Sequence, residues 1–257
     1  MSVVWQALLA RVADVSLTPA HRVVLAATVW LAYVLDRWLE GWHLHWRDIR
    51  TARHHFYQRH RWPVAALWFI VAVADIFVAV TSLTARDVMA GALLLVPVLL
   101  YLLSHQLVHR HHRWRAPKEL IVAALITSGA IVFLIGTSRP GIVLSSASLV
   151  ALVCFTNCAL ISAWEREVDE SHGQTSLAIA AADHHWVFSQ LPWLVAVIAA
   201  LACVETGAAS RTVAACVGAS GVLLAWVDRA EPRLGWQAAR VLADVALLTP
   251  LVPLVWP

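Results

Sequence analysis

The sequence predicts an all-α, polytopic transmembrane protein of about eight spanning helices. Three observations predict it. Of its 257 residues, 60% are hydrophobic and 14% charged, where a soluble domain carries about 25% charged residues. Apolar runs of spanning length recur along the chain. The connections between them alternate between very short and longer polar ones. The chain reads as an N-terminal segment, 1–18, and a single transmembrane helical domain, 19–257.

A helix that crosses a bilayer needs about 20 apolar residues. Runs that qualify lie at roughly 20–38, 63–83, 87–108, 119–138, 142–164, 185–205, 211–228 and 236–256. Residues 1–17 are apolar on one side only and carry Arg11 and Asp14, which predicts a short interfacial helix rather than a signal peptide. The connections at 84–86, 139–141 and 206–210 are tiny, whereas 39–62, 109–118, 165–184 and 229–235 are longer and polar.

Lysine and arginine set the orientation, because cytoplasmic loops carry the excess. Of the 19, 14 flank or occupy the four polar connections and 5 lie on the other side. The polar connections are therefore expected on the cytoplasmic face, of a bacterial inner membrane in this reading. The net charge of +3 comes with no basic tail, so no nucleic-acid partner is expected. Cys154, Cys158, Cys203 and Cys216 all fall within apolar runs, which predicts buried inert thiols.

Two acidic patches end two of the apolar runs. The first is Asp36-Arg37-Trp38-Leu39-Glu40 and the second Glu165-Arg166-Glu167-Val168-Asp169. In each, two carboxylates stand four residues apart, which on a helix puts them on one face, one turn apart. Carboxylates beside a spanning segment are costly without a partner, and a divalent cation is a natural one. Both patches fall on the predicted cytoplasmic side, so they are expected to face one cavity. The bland alternative is acidic residues solvated at helix ends or paired with neighbouring arginines.

The pattern resembles the UbiA-type intramembrane prenyltransferases. That family has nine helices, a first motif Asn-Asp-x-x-Asp-x-x-x-Asp after its second helix and a second motif Asp-x-x-x-Asp after its sixth. Ala32-Tyr33-Val34-Leu35-Asp36-Arg37-Trp38-Leu39-Glu40 falls at the first, and Glu165 to Asp169 at the second. Gly173-Gln174-Thr175-Ser176-Leu177 is similar to the Gly-x-x-Ser-Leu stretch that follows the second motif. Eight spans match the family with its first helix absent. The departures are Ala32-Tyr33 in place of Asn-Asp, and Glu40 and Glu165 in place of aspartate.

The resemblance implies transfer of an isoprenoid chain from an allylic polyprenyl diphosphate to a lipid or aromatic acceptor, among membrane lipids. Asp36, Glu40, Glu165 and Asp169 would be the catalytic and metal-holding residues, with Mg²⁺ as cofactor, because negative charge grows on the leaving diphosphate. Arg37, Arg53 and Lys118 would hold phosphate oxygens, with Arg47 a further candidate and Asn157 orienting phosphate or ligand. Trp38, Trp42 and Trp164 would offer faces to an allylic cation, though tryptophans at span ends are commonly interface anchors.

Two other classes remain open. One is a non-catalytic lipid-binding member of the same fold. The other is a membrane di-iron hydroxylase or desaturase, because 13 histidines are present and imidazole suits iron. The clusters are His54-His55 with His60, then His105, His109, His111 and His112, then His172 with His184-His185. Their spacing lacks the repeated His-x-x-His-His box. Inside the spans, Asp75 either makes a structural hydrogen bond or lines the cavity. Asn157 either faces the cavity or bonds another helix. Asp244 is expected to pair with Arg240 one turn away.

Overall fold

The computed structural model describes residues 1–43, 52–104, 118–171, 176–184, 186–205 and 207–256. Among them the chain is all-helical. In order come α1 (Ser2–Val12), α2 (Pro19–His43), α3 (Ala52–Arg59), α4 (Arg61–Ser82), α5 (Ala85–Leu103), α6 (Lys118–Ile131), α7 (Pro140–Trp164), α8 (Arg166–Ser171), α9 (Leu177–Ala180), α10 (Trp186–Glu205), α11 (Ala208–Leu234), α12 (Trp236–Ala246) and α13 (Leu251–Val255). The chain divides into two compact units. One comprises Met1–Ser16, Arg115–Arg166 and Ser176–Pro257; the other comprises Leu17–Trp114 and Glu167–Thr175.

Among the described residues, five helices are long and apolar enough to cross a membrane: α4, α5, α7, α10 and residues Ser210–Leu234 of α11. They suggest an integral membrane protein. The expected spans at 119–138 and 236–256 are not continuous. The first is α6, 14 residues, followed by a 3-10 turn at Val132–Leu134 and a left-handed Gly136 at φ 91°. The second is α12, 11 residues, then a turn, then α13. Thr249 sits in that turn, its hydroxyl donating to the Cys216 carbonyl at 2.9 Å and bonded to Ser220 at 2.7 Å. Pro250 and Pro253 follow, and neither has an N–H to continue the ladder.

In the larger unit α7 is central, packed against α6, α10, α11, α12 and α1. Its Val150, Val153, Cys154, Ala159 and Leu160 are buried. The N-terminal segment, expected to be interfacial, is α1 packed on α6 and α7. Trp5, Gln6, Leu8, Leu9, Ala10 and Val12 are all buried, which covers the helix on more than one side. Helices α10 and α11 approach closely. A Cβ added at Gly221 would lie 2.9 Å from the Pro192 carbonyl oxygen and 3.2 Å from the Ala196 nitrogen. Only the absence of a side chain permits that approach.

In the second unit α2 and α4 run antiparallel, in a register fixed by three bonds. Trp38 donates its indole N–H to the Arg61 carbonyl at 3.1 Å, Trp68 to the Leu31 carbonyl at 2.9 Å, and Thr28 its hydroxyl to Asp75 at 2.9 Å. Asp75 therefore makes the structural hydrogen bond that was one of its two expected roles. Thr84 caps α5, accepting from the Asp87 N–H at 3.2 Å and donating to its carboxylate at 2.6 Å. His21 reaches the same carboxylate at 3.4 Å. No residue of α4 is buried. Phe69, Ile70, Ile76, Phe77 and Val80 are each more than half exposed, an apolar surface suited to lipid rather than water.

Candidate functional site

The C-terminal part of α2 carries the first acidic patch because its apolar run continues past the point where charge begins. Asp36 is buried, 8% exposed, and its Oδ2 accepts a hydrogen bond from the Arg37 guanidinium at 2.6 Å. Arg37 also lies over the Tyr33 ring, 5.9 Å from its centroid. Tyr57 of α3 feels both groups. Burial raises its phenol above the ordinary value of 10.0, the Tyr33 phenol adds to the rise, and the Arg37 charge opposes it. The side chains of Glu40 and Arg53 and the whole of Arg47 lie outside the described residues, although Glu40 falls within α2 and Arg53 within α3.

The second patch begins where α7 ends. Glu165 caps that helix, its N–H donating to the Ile161 carbonyl at 2.9 Å. Its carboxylate is buried, and Oε1 accepts from Arg240 of α12 at 2.7 Å. Asn157, two turns earlier on α7, is buried and donates to Asp244 of α12 at 3.3 Å. The expected Arg240–Asp244 pair is thus replaced. Packing of α12 on α7 gives Arg240 to Glu165 and Asp244 to Asn157. Asn157 takes the helix-to-helix role of its two expected roles.

Asp169 lies in α8 and is buried, 6% exposed. It belongs to the same compact unit as Asp36, whereas Glu165 belongs to the other. Lys118 opens α6. Its neighbour Glu119 is 2% exposed and accepts from the Leu177 N–H at 3.1 Å. The Ser162 hydroxyl accepts from the Ala178 N–H at 3.4 Å. These bonds fix the start of α9 on α6 and α7. Glu119 carries no sequence signal for this, because its partner is a backbone N–H distant in the chain.

The tryptophans nearest the patches are anchored by their N–H groups. Trp38 holds the Arg61 carbonyl, and Trp164 donates to Asp228 at 3.0 Å; Trp42 lies outside the described side chains. So do the side chains of His54, His105, His109, His111, His112, His172, His184 and His185. His60 bonds the Phe56 carbonyl at 3.1 Å.

Among the described residues no three His, Cys, Asp or Glu side chains gather as a metal site would require. A guanidinium stands against one oxygen of both Asp36 and Glu165. The two pairs differ in kind. Arg37 is Asp36's own neighbour in sequence and reaches it by a long, rotatable side chain. Arg240 is held by the packing of α12 on α7, so Glu165 is committed to a structural ion pair. The fit to a cation is therefore better at Asp36 than at Glu165. No family model, curated protein or solved structure matches the chain.

Proposed function

We propose that the chain is an integral membrane protein of the prenyltransferase kind, with about eight spanning helices. In this reading it binds an allylic polyprenyl diphosphate and transfers the isoprenoid chain to a lipid or aromatic acceptor. The observation that carries the reading is the burial of Asp36 and Asp169, one from each acidic patch, within the same compact unit. Both stand at the edge of apolar helices, where a divalent cation is a natural partner for a carboxylate. Magnesium, when bound with the diphosphate, would supply neutralisation of the leaving group's charge. Asp36 and Asp169 are the residues that would hold it. Arg37 exchanges its bond to Asp36 for phosphate oxygens, which guanidinium meets in bidentate fashion. Arg53, of the same unit, is the further phosphate contact in this reading. The distribution of lysine and arginine supports placing the patches on the cytoplasmic face of a bacterial inner membrane.

The Glu165–Arg240 pair favours a second reading, a non-catalytic lipid-binding protein, because it removes one acidic group from the second patch. Calorimetry of farnesyl diphosphate binding to the purified chain, with and without Mg²⁺, tests the first reading. Asp36→Asn and Asp169→Asn should each weaken Mg²⁺-dependent binding by at least about tenfold. Equal binding by all three proteins overturns the site. Binding with no release of pyrophosphate for any lipid or aromatic acceptor supports the second reading. Two irons per purified chain would instead support the hydroxylase class.

A further inference from the structure

A cleft of about 470 Å³ opens between the first turns of α10 and the last turns of α11, lined by Ser189, Gln190, Trp193, Ala225, Asp228 and Arg229. None of its lining residues belongs to either acidic patch. Its polar groups are arranged by their neighbours. The Arg229 guanidinium lies 5.0 Å from the centroid of the Trp193 ring, held by a cation–π contact. The Trp164 indole N–H takes Oδ1 of Asp228 at 3.0 Å and fixes the carboxylate in place. A cation and an anion thus stand side by side in one cleft, neither neutralising the other through a direct ion pair among the described residues.

The surface that continues along the same two helices is apolar. Leu194, Val197 and Leu201 of α10 and Val222, Leu223 and Trp226 of α11 are all exposed. Both helices are long and apolar enough to cross a membrane. The cleft therefore lies where a hydrocarbon-facing strip gives way to charge, the level of a lipid head group.

We infer that this cleft binds phosphatidylethanolamine, with the phosphate on Arg229 and the primary ammonium on Asp228, its acyl chains along the exposed strip of α10 and α11. The charges select the head group. In place of a cation, phosphatidylglycerol offers only neutral hydroxyls to the Asp228 carboxylate. A choline head has no N–H to donate to it. Ethanolamine supplies both charges and three N–H donors, and Ser189 and Gln190 line the same opening.

The test uses the full purified chain, stripped of lipid in detergent. Binding is followed by tryptophan fluorescence with mixed micelles containing dioleoyl phosphatidylethanolamine, phosphatidylcholine or phosphatidylglycerol, and with soluble O-phosphoethanolamine. Wild type should bind the ethanolamine lipid about fivefold or more tightly than the other two. Asp228→Asn, whose amide oxygen still accepts from Trp164, should erase the preference over phosphatidylglycerol. Arg229→Met, which still packs on Trp193, should weaken binding of both. Equal affinity for the three lipids, or an unchanged preference in Asp228→Asn, overturns the inference. Soluble phosphoethanolamine binding as tightly as the lipid overturns it too, because the strip would then contribute nothing.

Discussion

Glu165 and Arg240 lie 75 residues apart in the chain and 2.7 Å apart in space. Removing one partner of such a pair takes a close counter-charge from the other in a poorly hydrated place. Arg240→Ala should destabilise the protein by on the order of 3 kcal/mol, read as a lowered unfolding temperature in detergent. The double change Glu165→Met with Arg240→Met should recover most of the loss, since both charges of the pair are then gone. A local pair such as Asp36–Arg37 is legible in the sequence because the partners are neighbours. The Glu165–Arg240 pair is not. Helical spacing points Arg240 at Asp244, and only the packing of α12 on α7 redirects it. Tyr57 gives a second test at this scale. Its phenol is raised by burial first, so folding disfavours the phenolate. That contribution to stability is intact below pH 10.0, the ordinary value, and is lost as pH rises through the higher value of the folded chain. Absorbance titration should show Tyr57 ionising later than a free phenol, and Tyr57→Phe should abolish that late component.

Helices α10 and α11 approach closely at Gly221. At Gly221 a methyl group would press on the Pro192 carbonyl, whereas at Gly218 it would meet the Ala199 Cβ at an ordinary 3.4 Å. Gly221→Ala should therefore cost about 1–3 kcal/mol, and Gly218→Ala should be nearly neutral. Thermal unfolding of the two variants side by side measures the difference, and equal midpoints would show that the close approach is not a packing constraint. The existence of the long apolar helices was readable from composition and length alone. Their interruptions were less so. The turn that ends α12 depends on Thr249 finding the Cys216 carbonyl on another helix, although Pro250 and Pro253 mark the place. Similarly, the apolar stripe of 1–17 read as a surface helix, because nothing local announces that α6 and α7 will enclose Trp5, Leu8 and Leu9.

For the whole molecule, the apolar side chains left exposed on α4, α5 and α10 have no partner in water that would make them stable. The chain should stay with the membrane pellet after washing at high pH and high salt, and leave it only with detergent. Recovery in the wash would remove the membrane assignment. The acidic patches were legible because two carboxylates at matched ends of apolar runs are rare enough to stand out. Their division between two compact units was not, since Glu165 and Asp169 are only four residues apart. The central claim is that Asp36 and Asp169 together receive a metal–diphosphate. Titration of Mn²⁺ into the purified chain, followed by electron paramagnetic resonance with and without farnesyl diphosphate, addresses it most directly. Mn²⁺ uptake should depend on the diphosphate and disappear in Asp36→Asn and in Asp169→Asn. Uptake that is absent in wild type, or unchanged in both variants, would contradict it.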